Sequence, residues 1–438
     1  MSNETEELAK SGVTVSILGR AVRKARSADF FWMLVSYVLG FGLQGIYFLI
    51  VARALGAAEY GVFAGALALA TIVSTLAGLG AGSVLVMKTS RDKSQFGAQL
   101  GTALVYIILT ACPLSFAAYA VGGGATTSLA KCLLPLLISE LIFTRILDVG
   151  YQSFQARDLL RWTAVANGGA GAVRAVIAGS FSLLGGETAT EWAWVYSASS
   201  ILLGVSVLFV VILRLGGPRI VLASLVSTWR IGIFFAIGMS ARVVYVDVDK
   251  YMLNRFGFEY AAGNYAAGAR LMNFAFAPVQ ALVYSKNTAM FKSGAIGYSA
   301  TWILVRRMLV PVVLYGIVSG LFVFSISPLI VSILGESFQV TADVLRLLFP
   351  LVLLQGLHYL FGDALMGLGQ QSTRSAIQLG VAFLSVLLNF WLIPIYGWRG
   401  AICATLICST LLAASVIIAF VCGARLESAH NIRSATTN

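Results

Sequence analysis

A chain of 438 residues that is 59% hydrophobic and only 11% charged, with mean hydropathy +0.88, is no ordinary soluble globule, in which about a quarter of residues carry charge. The net charge of +12 invites a nucleic-acid partner, but the basic residues alternate with apolar runs as membrane topology demands, so nucleic acid is excluded. The roughly ten-residue dyad alternation of a membrane β-barrel is absent too, which leaves helices that pair their backbone groups internally within lipid.

Residues 1–28 are polar and become basic at Arg20, Arg23, Lys24 and Arg26; they read as a cytoplasmic N-terminal segment. Residues 30–51 contain no Asp, Glu, Lys or Arg. At about 1.5 Å per residue such a run crosses about 30 Å of hydrocarbon. It is too long for a signal h-region and lacks a small-residue cleavage site, so the first span is expected to stay in the mature protein. Hydropathy then places spans near 30–52, 60–86, 97–121, 129–151, 162–184 and 192–213, and again near 229–252, 260–285, 303–333, 344–366, 375–396 and 400–422. The expected fold is therefore all-α: a polytopic membrane protein of about 12 transmembrane helices in two six-helix bundles around a central cavity. Residues 29–213 would form the N-terminal bundle, 214–228 a cytoplasmic connector, 229–422 the C-terminal bundle and 423–438 a cytoplasmic tail.

With the N-terminus inside, twenty Lys and Arg fall in cytoplasmic segments against five outside, Arg53, Lys131, Arg255, Arg346 and Arg399. That asymmetry puts both termini in the cytoplasm. All eight tryptophans lie near proposed span ends, as an interfacial belt requires. No loop is long enough for a soluble catalytic or nucleotide-binding domain, and no GxxxxGK[ST] loop occurs. The five cysteines are scattered through apolar runs, and His358 and His430 are the only histidines. Neither a metal site nor a cofactor is expected.

Arg53 and the run Gly-Val-Phe-Ala-Gly-Ala at 61–66 recur 202 residues later as Arg255 and Gly-Asn-Tyr-Ala-Ala-Gly at 263–268. An even number of spans per half would give the two halves the same orientation. Prolines at 113, 135, 278, 311, 328 and 350 interrupt spans and suit bending.

Ten charges fall inside spans: Arg145, Arg174, Arg242, Lys250 and Arg270, with Glu140, Asp148, Asp247, Asp249 and Asp363. At roughly 3 kcal/mol each on an insertion scale they cannot face lipid, so they pair with one another or line a wet cavity. Glu140, Thr144 and Asp148, with Arg145, Gln152 and Gln155, read as one polar stripe on the fourth span. Arg242, Tyr245 and Asp249 share a face of the seventh span beside Asp247 and Lys250, and Arg270 and Asn273 lie a turn apart in the eighth. Arg174 and Asp363 are weaker cases, being closer to a span end or without a visible partner, and structural pairing, as of Arg145 with Asp148, competes with cavity lining throughout.

Residues 50–63, Ile-Val-Ala-Arg-Ala-Leu-Gly-Ala-Ala-Glu-Tyr-Gly-Val-Phe, and 389–401, Asn-Phe-Trp-Leu-Ile-Pro-Ile-Tyr-Gly-Trp-Arg-Gly-Ala, resemble two turns of the Wzx-type polysaccharide flippases. That family is a branch of the multidrug, oligosaccharidyl-lipid and polysaccharide exporter superfamily. Residues 151–157, 249–253 and 265–271 match its habits too, so the likeness spans roughly 30–420. It implies a bacterial inner-membrane transporter, not an enzyme, that works by alternating access. The implied substrate is a polyprenyl-pyrophosphate-linked oligosaccharide for exopolysaccharide, capsule or O-antigen synthesis, and the implied partners are a polysaccharide polymerase and chain-length machinery. On that resemblance Arg145, Arg242, Arg270, Arg174 and Lys250 are candidate substrate-binding cations, since guanidinium forks suit phosphate oxygens. Glu140, Asp148, Asp247 and Asp249 are candidate cavity acids or coupling-ion ligands. A cation-coupled multidrug exporter of the same superfamily is the nearest rival, and a membrane glycan polymerase or ligase, which would need a long outer loop, is a more distant one.

Overall fold

The structure is a computed structural model that describes residues 42–122 and 128–436; the basic N-terminal segment and part of the first span lie outside these residues. The described residues contain helices and no strand. In chain order they are α1 (Gly42–Ser74), then α2 (Ala81–Arg91), α3 (Phe96–Val121), α4 (Ser128–Ile138), α5 (Thr144–Ala156), α6 (Leu160–Leu183), α7 (Ala189–Leu215) and α8 (Leu222–Arg255). There follow α9 (Glu259–Tyr284), α10 (Asn287–Gly294), α11 (Tyr298–Leu334), α12 (Gln339–Leu348), α13 (Leu351–Gly367), α14 (Gln371–Tyr396) and α15 (Trp398–Thr436).

Although its helical residues run without a gap, α1 is two arms. Gly56 adopts the left-handed conformation at φ 68°, and the rings of Phe48 and Tyr60 stand 5.8 Å apart. Twelve residues of straight helix would separate them by about 18 Å, so the chain folds back at Gly56, in the turn expected between the first two spans. The second arm is broken again where Gly78, Leu79 and Gly80 all take left-handed conformations. Hydropathy had run straight through that break.

Among the described residues seven helices are long and apolar enough to cross a membrane, and the bent pair Glu336–Leu348 and Leu351–Gly367, which meet at 50° beside Pro350, makes eight if it is counted as one span. The other segments expected to span, those around α2, α4–α5, α6 and α9, are less apolar. Three of them carry the embedded charges Glu140, Arg145, Asp148, Arg174 and Arg270. Proline breaks only this one pair so sharply. Pro113, Pro135, Pro278, Pro311 and Pro328 all sit inside continuing helices.

The turns sort to opposite ends of the molecule as the span order requires. At one end the Arg157 guanidinium lies 5.1 Å from the Phe96 ring, Arg214 stacks on Trp162 at 4.7 Å, and the Arg219 N–H donates to Gly97 at 2.8 Å. At the other, the Ala189 N–H donates to Glu59 at 2.7 Å and Tyr251 to the Val121 carbonyl at 2.9 Å. Trp194, Trp229, Trp302 and Trp391 are exposed, as a belt demands, but Trp192 is buried. It packs among Tyr47, Phe63 and Phe181, because a ring one turn inside a helix can serve the core instead of the interface.

Two glycine crossings join the halves. A side chain on Gly61 would strike the backbone of Glu259 and Gly263, and one on Gly263 would strike the backbone of Ala57 and Gly61. Each glycine thus meets the residue four positions before its counterpart, so the repeated segments at 61–66 and 263–268 pack on each other with local two-fold symmetry. Nearer the other end, Gly80 and Gly232 make a second backbone contact. There the first third of α8 docks on the first half: Gln99 donates to Ser224 at 2.8 Å and accepts from Thr228 at 3.2 Å, Lys88 reaches Ser227 and Thr228, and Tyr106 donates to the Leu225 carbonyl. The beginning of the expected second bundle is therefore fastened to the first.

Candidate functional site

A cavity of about 320 Å³ lies between α1 on one side and α8 and α9 on the other. The first half contributes Gln44, Tyr60 and Thr71, and α8 and α9 contribute Asp247, Lys250, Arg270 and Asn273. Arg270 forms no ion pair with any described residue. Its guanidinium lies 5.7 Å from the ring centres of both Tyr47 and Phe48 and hydrogen-bonds the Tyr60 side chain, so the rings' negative faces partly compensate a charge that no described carboxylate holds. Lys250 is paired with Asp247, one turn earlier on α8, and also donates to the Val246 carbonyl at 2.8 Å. Asn273 is exposed into this space one turn beyond Arg270.

The remaining predicted residues lie elsewhere. Asp249, two positions after Asp247, points the other way and is buried. It accepts hydrogen bonds from the Tyr265 hydroxyl, from Thr405 at 3.3 Å and from the Lys250 N–H at 2.7 Å. Arg242 is exposed and stands 5.9 Å from the Tyr359 ring.

Arg145 and Asp148 form an ion pair of 3.0 Å and line, with Gln152, a separate cavity of about 60 Å³ beside the Gly78–Gly80 break. Glu140 belongs to neither space. It is buried, accepting from Tyr196 at 2.8 Å and Thr144 at 3.2 Å, and Tyr196 carries Arg174 on its ring face at 4.8 Å. Arg174 also reaches Ser200 at 3.3 Å. The single stripe expected on the fourth span is split by a π-helical turn at Ser139–Phe143. Its extra residue rotates Glu140 away from Arg145 and Asp148.

Asp363, partnerless in the sequence, is paired at 2.9 Å with Arg374 from the next helix; the pair spans the α13–α14 turn, which helical spacing rules do not reach. His358 is buried against Tyr359, its Nε2 without a hydrogen-bond partner. The side chain of His430 lies outside the described residues. No group of three or more His, Cys, Asp or Glu among the described residues could hold a metal ion.

Reasoning from charge alone missed the aromatic shelf under Arg270. Tyr47, Phe48 and Tyr60 read as ordinary apolar-span residues more than 200 positions away, whereas Gln44 and Thr71 could have been found as polar residues within spans.

The sequence profile of the polysaccharide biosynthesis protein family matches residues 27–291. Among curated proteins none matches the chain by sequence. Several solved structures share its fold. The lipid II flippase MurJ in an inward closed conformation superposes with a TM-score of 0.72 at 14% identity, covering 90% of this chain and 87% of that one. A multidrug resistance MATE family transporter of the MOP superfamily, inward-facing, gives 0.67 at 16% identity, covering 91% and 98%. A MOP superfamily transporter from Pyrococcus furiosus, described as having a binding pocket of reverse polarity, gives 0.64 at 14% identity, covering 92% and 96%.

Proposed function

Because the chain belongs to the polysaccharide biosynthesis protein family, and is a multi-pass membrane protein with the fold of MOP-superfamily transporters, we propose that it flips polyprenyl-pyrophosphate-linked oligosaccharides from the cytoplasmic to the periplasmic leaflet of a bacterial inner membrane. The observation that carries this reading is Arg270. A guanidinium with no acid partner among the described residues, on an aromatic shelf in a cavity between α1 and the helices α8 and α9, is a receptor for phosphate oxygens. Asn273, Gln44 and Thr71 offer neutral hydrogen bonds of the kind sugars need. The prenyl chain stays in lipid while the head group crosses through the interior.

The residues 29–213 and 229–422 are the two bodies of an alternating-access cycle in this proposal, with both termini cytoplasmic and a polysaccharide polymerase and chain-length machinery receiving the product. The multidrug reading is disfavoured by charge: a cationic drug would meet Arg270 unpaired and Asp247 already engaged by Lys250. Of the acids, Asp247 lines the cavity, whereas Asp249 is buried in hydrogen bonds of its own. Arg145, Arg174 and Arg242 act outside the main cavity, as structural charges or at other steps of the cycle.

Deleting the gene should make the cytoplasmic leaflet accumulate a polyprenyl-diphosphate lipid bearing a complete oligosaccharide, detectable by mass spectrometry of extracted lipids. An unchanged lipid pool with normal surface glycan would refute the proposal.

A further inference from the structure

The cavity between α1 and the helices α8 and α9 contains three charged side chains, Asp247, Lys250 and Arg270, and so carries a single net positive charge. If the function proposed above holds, the head group that enters is a diphosphate diester with two negative charges at neutral pH. The charges do not balance, and the shortfall is located at one residue. Lys250 is held by Asp247; to serve the diphosphate it must turn from that carboxylate, leaving Asp247 uncompensated beside a second anion in an enclosed site. Like charges so placed repel strongly where water cannot screen them.

We propose that the diphosphate displaces Asp247 from Lys250, and that Asp247 then takes up a proton or a small monovalent cation, so that head group and cation occupy the cavity together. This inference rests on the function proposed above and adds to it a cation site that exists only when substrate is bound. Asp247 is placed for the exchange: its side chain keeps 25% exposure, against 12% for Lys250, and neutral oxygens of Gln44, Thr71 and Asn273 line the same space. Asp249 is unsuited, since its hydrogen bonds to Tyr265, Thr405 and the Lys250 N–H do not depend on the Lys250 ammonium. Asp247 shares the cavity with Lys250 on α8, Arg270 on α9 and Tyr60 on α1, and Arg242, Asp249 and Tyr265, outside its lining, are close enough for their charges to act on it.

The test uses the purified full chain in nanodiscs and two synthetic probes. One is farnesyl-diphosphoryl-N-acetylglucosamine, with two charges; the other is farnesyl-phosphoryl-glucose, with one. Affinities are measured at constant ionic strength while sodium replaces choline at fixed pH, and separately while pH falls from 8 to 6.5 without sodium. The diphosphate probe should bind about tenfold more tightly as sodium rises or as pH falls, the responding arm identifying the ion, and the single-charge probe should respond to neither. In Asp247→Asn the diphosphate probe should bind tightly in every buffer. A diphosphate affinity that depends on Arg270 but not on sodium or pH would overturn the exchange and leave the flippase reading standing, as would a dependence that persists in Asp247→Asn. Failure of the diphosphate probe to bind the folded wild-type protein in any buffer would overturn both. Should Asp247→Asn not fold, the comparison of the two probes on the wild-type protein decides alone.

Discussion

Replacing Arg270 by Gln should cut export of the lipid-linked glycan by roughly 30- to 150-fold while the protein remains at normal abundance. That range corresponds to about 2–3 kcal/mol, the loss expected when charge-assisted hydrogen bonds to a phosphate are removed. Abundance should survive because Arg270 has no acid partner among the described residues to leave stranded, and Tyr47 and Phe48 keep their packing in the core. Arg270→Lys retains the charge without the planar fork and should recover part of the activity. Asp363 and Arg374 make the contrasting case. Their pair is buried at 2% and 14% exposure, and losing one member strands the other charge at a cost of about 3–5 kcal/mol. Quantifying surface glycan against membrane protein level checks the prediction; normal export by an abundant Arg270→Gln protein would show that this cation does not handle substrate.

The second large effect is expected at the crossing of the repeated segments. Gly263→Val should lower thermal stability sharply, because even the first carbon of the new side chain would overlap the Ala57 carbonyl and the Gly61 backbone. Backbone cannot move aside as a side-chain tip can, so α9 and the second arm of α1 must separate, losing packing along their contact. Overpacking costs about 1–3 kcal/mol in ordinary cores and more where backbone is the obstacle. Gly61→Val should behave alike by the local symmetry. Gly168→Ala on α6, where nothing stands within 4 Å, is the control and should leave stability unchanged. Equal melting temperatures for Gly263→Val and Gly168→Ala would mean that the two halves do not cross as described.

Much of this architecture was legible in the sequence because lipid imposes a simple rule, and a long apolar run is hard to misplace. Expected spans at 97–121, 192–213 and 375–396 became Phe96–Val121, Ala189–Leu215 and Gln371–Tyr396. The repeated segments at 61–66 and 263–268 meet at Gly61 and Gly263, a contact that the repeat itself did not foretell. What stayed hidden was register within helices. The π-turn at Ser139–Phe143 and the left-handed residues at Gly78, Leu79 and Gly80 are backbone choices made by tertiary packing, with no hydropathy signature, and they decide which charges share a cavity. Thus Arg145 with Asp148, and Glu140 with Tyr196, separated from the site that Arg270 occupies. Partners across a turn, such as Arg374 for Asp363, were likewise invisible to rules that link positions three or four apart.

Transbilayer movement itself tests the proposed flipping most directly. The purified chain is reconstituted into liposomes carrying a fluorescent polyprenyl-diphosphoryl-oligosaccharide, and a membrane-impermeant reagent reports how much of it reaches the outer leaflet with time. Wild-type protein should expose the inner-leaflet lipid rapidly, Arg270→Gln should slow this by roughly 30-fold or more, and a phospholipid without a diphosphate head group should not be moved. Exposure no faster than in protein-free liposomes, or equally fast with Arg270→Gln, would contradict the proposal.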